Sequence, residues 1–262
     1  MYKLFTIVAL AAIFSSCGGS KHKESQQEED RIAKEKLQGI WLEETTESPL
    51  LQVKGDTIFY ADASTAPVAF KIMGDTLKTF GERTNNYLIE KQGDYTFWFR
   101  SAVGDMIRLH KAENDVDSLA FAQNREIHVY NEVVKKDSVV SYNNTRYRGY
   151  VYINPSKIKV MRPGVSEEGM GVDNVYYDNI IHICVYEGKK SLFATDIKKQ
   201  MFDEVIPKEF LQWAILSDMD FYGVDSRGYH YQATVCIPDD ASCYLVNITV
   251  NPEGKLSYEL VR

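Results

Sequence analysis

After its first sixteen residues the chain has no apolar run long enough to cross a bilayer. A hydrocarbon core of about 30 Å takes about 20 helical residues, so a membrane-spanning helix is excluded from the rest of the sequence. Positive charge is also scarce. Thirty Lys and Arg face 37 Asp and Glu, giving a formal net charge of -7, and the basic residues form no stripe of the kind that neutralises phosphates, which excludes nucleic acid as a partner. Phosphate-cradling Gly-x-x-x-x-Gly-Lys and dinucleotide Gly-x-Gly-x-x-Gly patterns are absent, so no cofactor is expected. A Gly-x-Ser-x-Gly nucleophile elbow is missing too.

What is present begins with an address. Met1-Tyr2-Lys3 is followed by thirteen uncharged, mostly apolar residues, Leu4 to Ser16, ending in small Ser15-Ser16 and then Cys17. A positive start, a short apolar stretch and a small-residue cut site are the plan of a secretory signal. Phe14-Ser15-Ser16-Cys17 resembles a lipobox, whose cysteine becomes the first mature residue and carries a diacylglycerol, although Phe14 stands where leucine is usual. The reading is a signal peptide over 1–16 and lipidation at Cys17, with a membrane reached through that N-terminal lipid anchor. Residues 17–36, with Gly18-Gly19-Ser20 and then a polar run, read as a disordered tether, too poor in apolar side chains to offset the entropy of ordering. The acidic run Glu28-Glu29-Asp30 lies well away from Cys17, whereas surface-export signals sit beside it. An outer-membrane protein facing the periplasm is therefore expected over one on the cell surface.

The rest reads as two β-rich parts, a mainly β fold of the β-rich α+β kind. Between 37 and 112, short alternating runs (Leu50–Val53, Thr57–Tyr60, Val68–Ile72, Thr76–Phe80, Tyr87–Lys91, Tyr95–Arg100 and Met106–His110) are interrupted by Gly55-Asp56, Gly74-Asp75, Gly93-Asp94 and Gly104-Asp105. Gly-Asp pairs supply hairpin-turn chemistry. The outcome is an antiparallel meander curled into a small barrel or half-barrel. With Gly39-Ile40-Trp41 at its start, this part resembles a lipocalin-like module. Residues 113–138 read as a helical connection, with Asp117-Ser118 capping a helix from Leu119 to about Tyr130. Residues 139–262 read as a second antiparallel sheet domain, with a helix inserted from about Pro207 to Ser217.

Four cysteines are few, and one is spent on the anchor. Cys236 and Cys243 flank Ile237-Pro238-Asp239-Asp240-Ala241-Ser242, which reads as a hairpin between two strands, so that the pair could form a disulfide or pack as plain hydrophobes. Cys184 lies inside an apolar strand and reads as the latter. Tyr147–Asn154, Val175–Ile180, Lys198–Phe202 and Tyr231–Pro238 together resemble a lipoprotein family of Bacteroides-like bacteria, catalogued as domain of unknown function 4738. The resemblance supports the envelope address and implies no activity.

Chemistry is thinly signalled. The five histidines show no metal-binding spacing. His182 and Cys184 share a strand face and could meet His230 and Cys236, but partly buried strand residues account for them better, and no metal site is expected. Asp218, Asp220 and Asp225 beside Gly223 and Gly228 look superficially like a calcium loop, but their spacing does not match an EF-hand. Asp56-Thr57-Ile58, Asp75-Thr76-Leu77, Asp117-Ser118-Leu119 and Asp137-Ser138-Val139 look like the acidic–hydroxyl–aliphatic triplet of O-glycosylation in this group of bacteria. Thr57, Thr76, Ser118 and Ser138 are therefore candidate acceptors, although the same pairs also open strands and cap helices. The expectation is a non-catalytic binding or interaction module for a protein, glycan or hydrophobic ligand. The alternatives are a structural component of an envelope complex or, less favoured, a glycan or peptide hydrolase. A catalytic residue is not assigned.

Overall fold

The computed structural model describes residues 28–122 and 132–261. Cys17, the signal, the tether as far as residue 27 and most of the expected helix after Leu119 lie outside the described residues. Eight strands come first: β1 (Gly39–Glu43), β2 (Pro49–Lys54), β3 (Thr57–Tyr60), β4 (Val68–Met73), β5 (Thr76–Phe80), β6 (Thr84–Gln92), β7 (Thr96–Arg100) and β8 (Met106–Lys111). Each pairs antiparallel with the next, and β1 pairs with β8 through Trp41↔Lys111, Leu42↔His110 and Glu43↔Leu109, closing a barrel. All seven runs read from the sequence are strands of it. Gly55 and Gly74 sit at φ +60° and +62°, the left-handed region that their tight turns require and that a Cβ disfavours.

Alternation decides what fills the barrel. Along β7, Phe97 and Phe99 point inward and are fully buried. Trp98 points outward, lies between Lys91 and Arg108, and donates its indole N–H to Glu44 (2.7 Å). Inside, Trp41, Phe97, Phe99 and Tyr87 form a chain of ring contacts with centroids 5.0 to 5.8 Å apart. Leu51, Ile58, Phe70, Ile72 and Leu77 occupy the space around them. The barrel is thus a packed core where a lipocalin would hold a cavity. Its apolar inside and charged outside (Lys54, Lys71, Arg100 and Arg108 are exposed) are the reverse of a membrane-spanning barrel. No helix among the described residues is long and apolar enough to cross a membrane.

One barrel end is closed by a helix where the sequence suggested only tether. Helix α1 (Arg31–Lys36) starts at Asp30, whose carboxylate accepts the Ala33 N–H (2.9 Å). Lys34 reaches Glu29 (2.6 Å) and Asp56 (2.7 Å) and lies over the Phe70 ring. Leu37 is buried under the barrel, and the Leu37 carbonyl accepts the Trp41 indole N–H (2.7 Å). Composition alone cannot reveal this ordering, because the surface that compensates its entropy belongs to β4 and to the turn before β3. The acids expected to mark orientation, Glu29 and Asp30, pair with Lys34 and cap the helix.

The second part is a sandwich of two four-stranded antiparallel sheets. One has the order β12-β11-β10-β9, from β9 (Val134–Tyr142), β10 (Thr145–Val165), β11 (Gly171–Glu187) and β12 (Lys190–Ile197). The other is β13 (Ile215–Asp225), β14 (Gly228–Cys236), β15 (Cys243–Val250) and β16 (Leu256–Leu260), in chain order. Their facing residues, among them Val151, Ile183 and Val185 against Phe221, Tyr231, Val235 and Ile248, form one buried core.

Two expectations are corrected here. Residues 113–138 are not a helical connection throughout, since only a 3-10 turn over Asp115–Phe121 is described and β9 starts at Val134. Lys135-Lys136-Asp137 looks like a polar linker but is a sheet edge, joined to β10 by Asn143-Asn144, both at positive φ as a primed hairpin turn requires. The helix expected over Pro207–Ser217 is the single turn α2 (Lys208–Leu211). Leu216 is held extended by β11, because Asp178 accepts the Leu216 N–H (2.8 Å) and Asn179 donates to the Leu216 carbonyl (3.0 Å). The long strand β10 accommodates two prolines, a bulge between Pro155 and Lys159 absorbing the first, while Pro163 pairs with Asp173.

Candidate functional site

Beyond that bulge the β10–β11 hairpin leaves the sandwich as an arm, about 20 Å long at roughly 3.3 Å per residue, and its tip caps the other end of the barrel. Met170 and Val172 enter the barrel core. The Gly171 N–H donates to the Tyr87 hydroxyl (2.9 Å), which donates back to the Gly171 carbonyl (3.3 Å). Asp173 accepts from the Glu82 N–H (2.8 Å), while the Ala66 N–H meets the Asp173 carbonyl and the Val175 N–H meets the Ser64 carbonyl, both at 2.8 Å. The approach is too close for side chains at two positions. A Cβ on Gly171 would come within 2.5 Å of Asn85 and one on Gly81 within 2.1 Å of Asp173.

Between the arm and the barrel rim lies a cleft of about 560 Å³. The barrel supplies Pro49, Leu50, Tyr60, Asp62 and Ser64; the arm supplies Val165, Glu167, Glu168, Val172, Asn174 and Tyr176; Asp239 reaches in from the loop between β14 and β15. A second cleft of about 460 Å³ continues along the rim past Glu43, Thr45 and Asp105, sharing Pro49, Leu50, Glu167 and Glu168 with the first. Neither lining contains Lys, Arg or His. Tyr60 forms part of the inner wall. Its hydroxyl is buried without a hydrogen-bond partner among the described residues, and burial, with Tyr87 and Asp173 nearby, keeps the phenol protonated far above its ordinary range.

The loop that completes the cleft is fixed at several points. A disulfide joins Cys236 and Cys243 at its base, with Cα atoms 4.1 Å apart. Tyr176 donates to Asp239 (2.5 Å), and its phenol is pushed up to about 12 by burial and by that carboxylate. Arg162 pairs with Asp240 (3.1 Å) and donates to the Pro238 carbonyl.

The other residues singled out from the sequence do not converge. His182 lies on the outer face of the first sheet with Asp196 (2.7 Å), Cys184 is buried and free, Cys236 is in the disulfide, and His230 is on the second sheet. Asp218 and Asp220 hold Lys136 (2.6 and 3.0 Å), and Asp225 holds Arg227 (2.9 Å) and His230 (2.8 Å). Among the described residues no group of three or more His, Cys, Asp or Glu could hold a metal ion. Thr249, His230 and Asp225 form a hydroxyl–imidazole–carboxylate chain, the Thr249 hydroxyl being 3.2 Å from His230 Nδ1. However, His230 is buried and lines neither cleft, so the chain pins a turn and presents no nucleophile. Thr57 and Thr76 open β3 and β5 behind their Gly-Asp turns, Ser118 lies in the 3-10 turn and Ser138 is exposed on β9. The cleft itself escaped sequence reading. Its only local signal is the paired Glu167-Glu168 in a turn.

Residues 114–258 match the model of a family described as Domain of unknown function (DUF4738). The match takes in the sandwich and the arm and leaves out the barrel. No curated protein matches the chain.

Proposed function

The chain belongs to the DUF4738 family, and from that premise we propose that it is an outer-membrane lipoprotein, anchored through Cys17 and facing the periplasm, that binds a ligand without transforming it. The observation that carries the reading is the double cleft at the junction of barrel and arm. It is concave and within the size range of small-molecule sites, with apolar Pro49, Leu50, Val165 and Val172 set among carboxylates, hydroxyls and an amide, and neither lining contains His, Cys or Lys. The tether from Cys17 to the first described residues gives the domain clearance from the bilayer. The anchor is tested by labelling with a radioactive fatty acid in the native host. Label on the wild type and none on Cys17→Ala is expected; equal label on both refutes it. The binding reading is tested by native against denaturing mass spectrometry of the protein purified from that host. A mass lost on denaturation supports it, and a bare chain weighs against a retained ligand.

A second reading, a structural component of an envelope complex, is favoured by the outer face of the first sheet. There Tyr150 and Tyr152 stack (6.1 Å) and Tyr186 meets Tyr150 edge-on (5.7 Å), all half-buried. Aromatic rings in that state suit a protein interface. Co-purification of a stoichiometric envelope protein, lost on Tyr150→Ser, would favour it. O-glycosylation at Thr57, Thr76, Ser118 or Ser138 belongs to the same envelope address, and intact-mass measurement of the native protein tests it.

A further inference from the structure

We propose that Lys199 and Asp178 condense to an internal amide, a covalent cross-link between the lysine Nζ and the aspartate Cγ formed with loss of one water. Lys199 opens the 3-10 turn Lys199–Phe202 that follows β12. Asp178 lies on β11 opposite the bulge, at the root of the arm. Their side chains are only 8 % and 2 % exposed, and Lys199 Nζ stands 3.7 Å from Asp178 Oδ2. Among the described residues neither makes another salt bridge. Burial takes both groups towards their neutral forms, the lysine down and the carboxyl up. Those are the forms from which an amide is made, a free amine as nucleophile and an un-ionised acid.

The two oxygens of the carboxyl have different surroundings. Oδ1 accepts two backbone N–H bonds, from Asn179 (2.9 Å) and from Leu216 (2.8 Å), while Oδ2 faces the amine. A pair of backbone N–H groups on one carboxyl oxygen stabilises the charge that develops there when a nucleophile adds to the carbon, as an oxyanion hole does. The amine is held as well, since Nζ donates to the Ala214 carbonyl. A simple buried ion pair closes to about 2.7–2.9 Å, and this one does not. With both partners fixed by the backbone, their reaction is effectively unimolecular.

In the condensation the Nζ lone pair adds to Cγ and the carbonyl π pair moves onto Oδ1. One proton passes from Nζ to the Oδ2 hydroxyl, the Cγ–Oδ2 bond breaks, water leaves, and the pair on Oδ1 restores the carbonyl. Nothing is oxidised or reduced. Ala214 and Leu216, whose backbones hold the two groups, are fully buried, as are Ile197 and Phe202 on either side of Lys199, and exclusion of water protects the product from hydrolysis. An open cleft of about 380 Å³ lined by Lys199, Gln200 and Leu211 gives the released water an exit. The bond would tie the root of the arm to the segment that leads through α2 into the second sheet.

The test is tryptic peptide mapping by mass spectrometry of the full mature chain, purified from its own host, reduced and denatured. Trypsin does not cut after an acylated lysine, so peptide 160–189 is expected joined to peptide 199–208, one water lighter than the two together. K199R, which keeps the charge, and D178A are each expected to lose the joined species, and K198R, at the neighbouring lysine, to retain it. Wild-type mapping decides the matter even if a variant fails to fold. Peptide 160–189 found free at its full mass, with cleavage after Lys199, would overturn the proposal. A free 160–189 peptide lighter by one water would be a cyclic imide at Asp178 and would overturn it too. A joined pair lighter by ammonia would place the bond on Asn179 and overturn the assignment to Asp178.

Discussion

Replacing Gly149 by alanine adds one methyl group at a point where the two sheets of the sandwich leave it no room. Gly149 pairs with Ser138 on β9 and Val185 on β11, and its α-carbon faces the ring of Phe221 across the core. An ideal Cβ there would lie 2.2 Å from two ring carbons and 2.7 Å from a third. Ordinary carbon–carbon contact is about 3.5 Å, so the ring must retreat by more than about 1 Å. Phe221 is 5 % exposed and packs on Tyr231 with centroids 5.0 Å apart, so retreat displaces a second ring. Overpacking of this kind costs ~1–3 kcal/mol, and the three-atom overlap places Gly149→Ala at the upper end. The loss of glycine's freedom in the unfolded chain returns ~0.4–1 kcal/mol. The net is a destabilisation of ~2 kcal/mol, or roughly 4–8 °C in Tm for a domain of this size. Thermal unfolding by circular dichroism measures it. The reasoning makes a sharper demand on a double-mutant cycle: Phe221→Ala alone costs ~3–5 kcal/mol, but in its presence the added methyl group finds space, so the double variant should be more stable than the sum of the singles by ~1–2 kcal/mol. A Gly149→Ala protein as stable as the wild type, or two effects that simply add, would refute the close-approach account.

Leu37→Ala should cost ~2–5 kcal/mol and release α1, seen as faster amide exchange in residues 31–36; unchanged exchange would mean that the helix is held by its ion pairs alone. Asp225 is held well below the ordinary carboxylate range, first by Arg227 and then by His230. Its folded-state pKa is depressed, so its contribution is present above about pH 4 and disappears as pH falls further. Asp225→Asn should therefore flatten the acid limb of the stability profile below about pH 4, and an unaltered limb counts against the turn lock. Lys199 lies 3.7 Å from Asp178 in the interior, where burial pushes the lysine down and the carboxyl up against their mutual attraction. Lys199→Met strands the Asp178 carboxylate and should cost ~3–5 kcal/mol by chemical denaturation; a neutral effect would show that the carboxyl is already protonated.

The barrel was legible because its information is local. Residues such as Phe97, Trp98 and Phe99 alternate within a single short strand, the Gly-Asp pairs mark turns in place, and hairpin strands meet their neighbours across tight turns. Cys236 and Cys243 belong to the same class, a pair opposed across a short loop. Residues Asn143-Asn144 carried an equally local hairpin signal that the charged run before them obscured.

What only the tertiary structure decided are the features built from distant partners. Closure of the barrel depends on Trp41 meeting Lys111, and α1 is ordered by β4 and the turn before β3, which lie beyond it in the chain. Leu216 is extended because Asp178 and Asn179 bind its backbone, and the arm is docked because Gly171 and Asp173 find Tyr87 and Glu82 on the barrel. The cleft is the extreme case, since Tyr60, Glu168 and Asp239 come from three separate elements and only the Glu167-Glu168 pair carries a local signal. Alternation and turn chemistry specify strands because they act within a few residues; the cleft arises from the relative placement of finished elements, which packing alone determines.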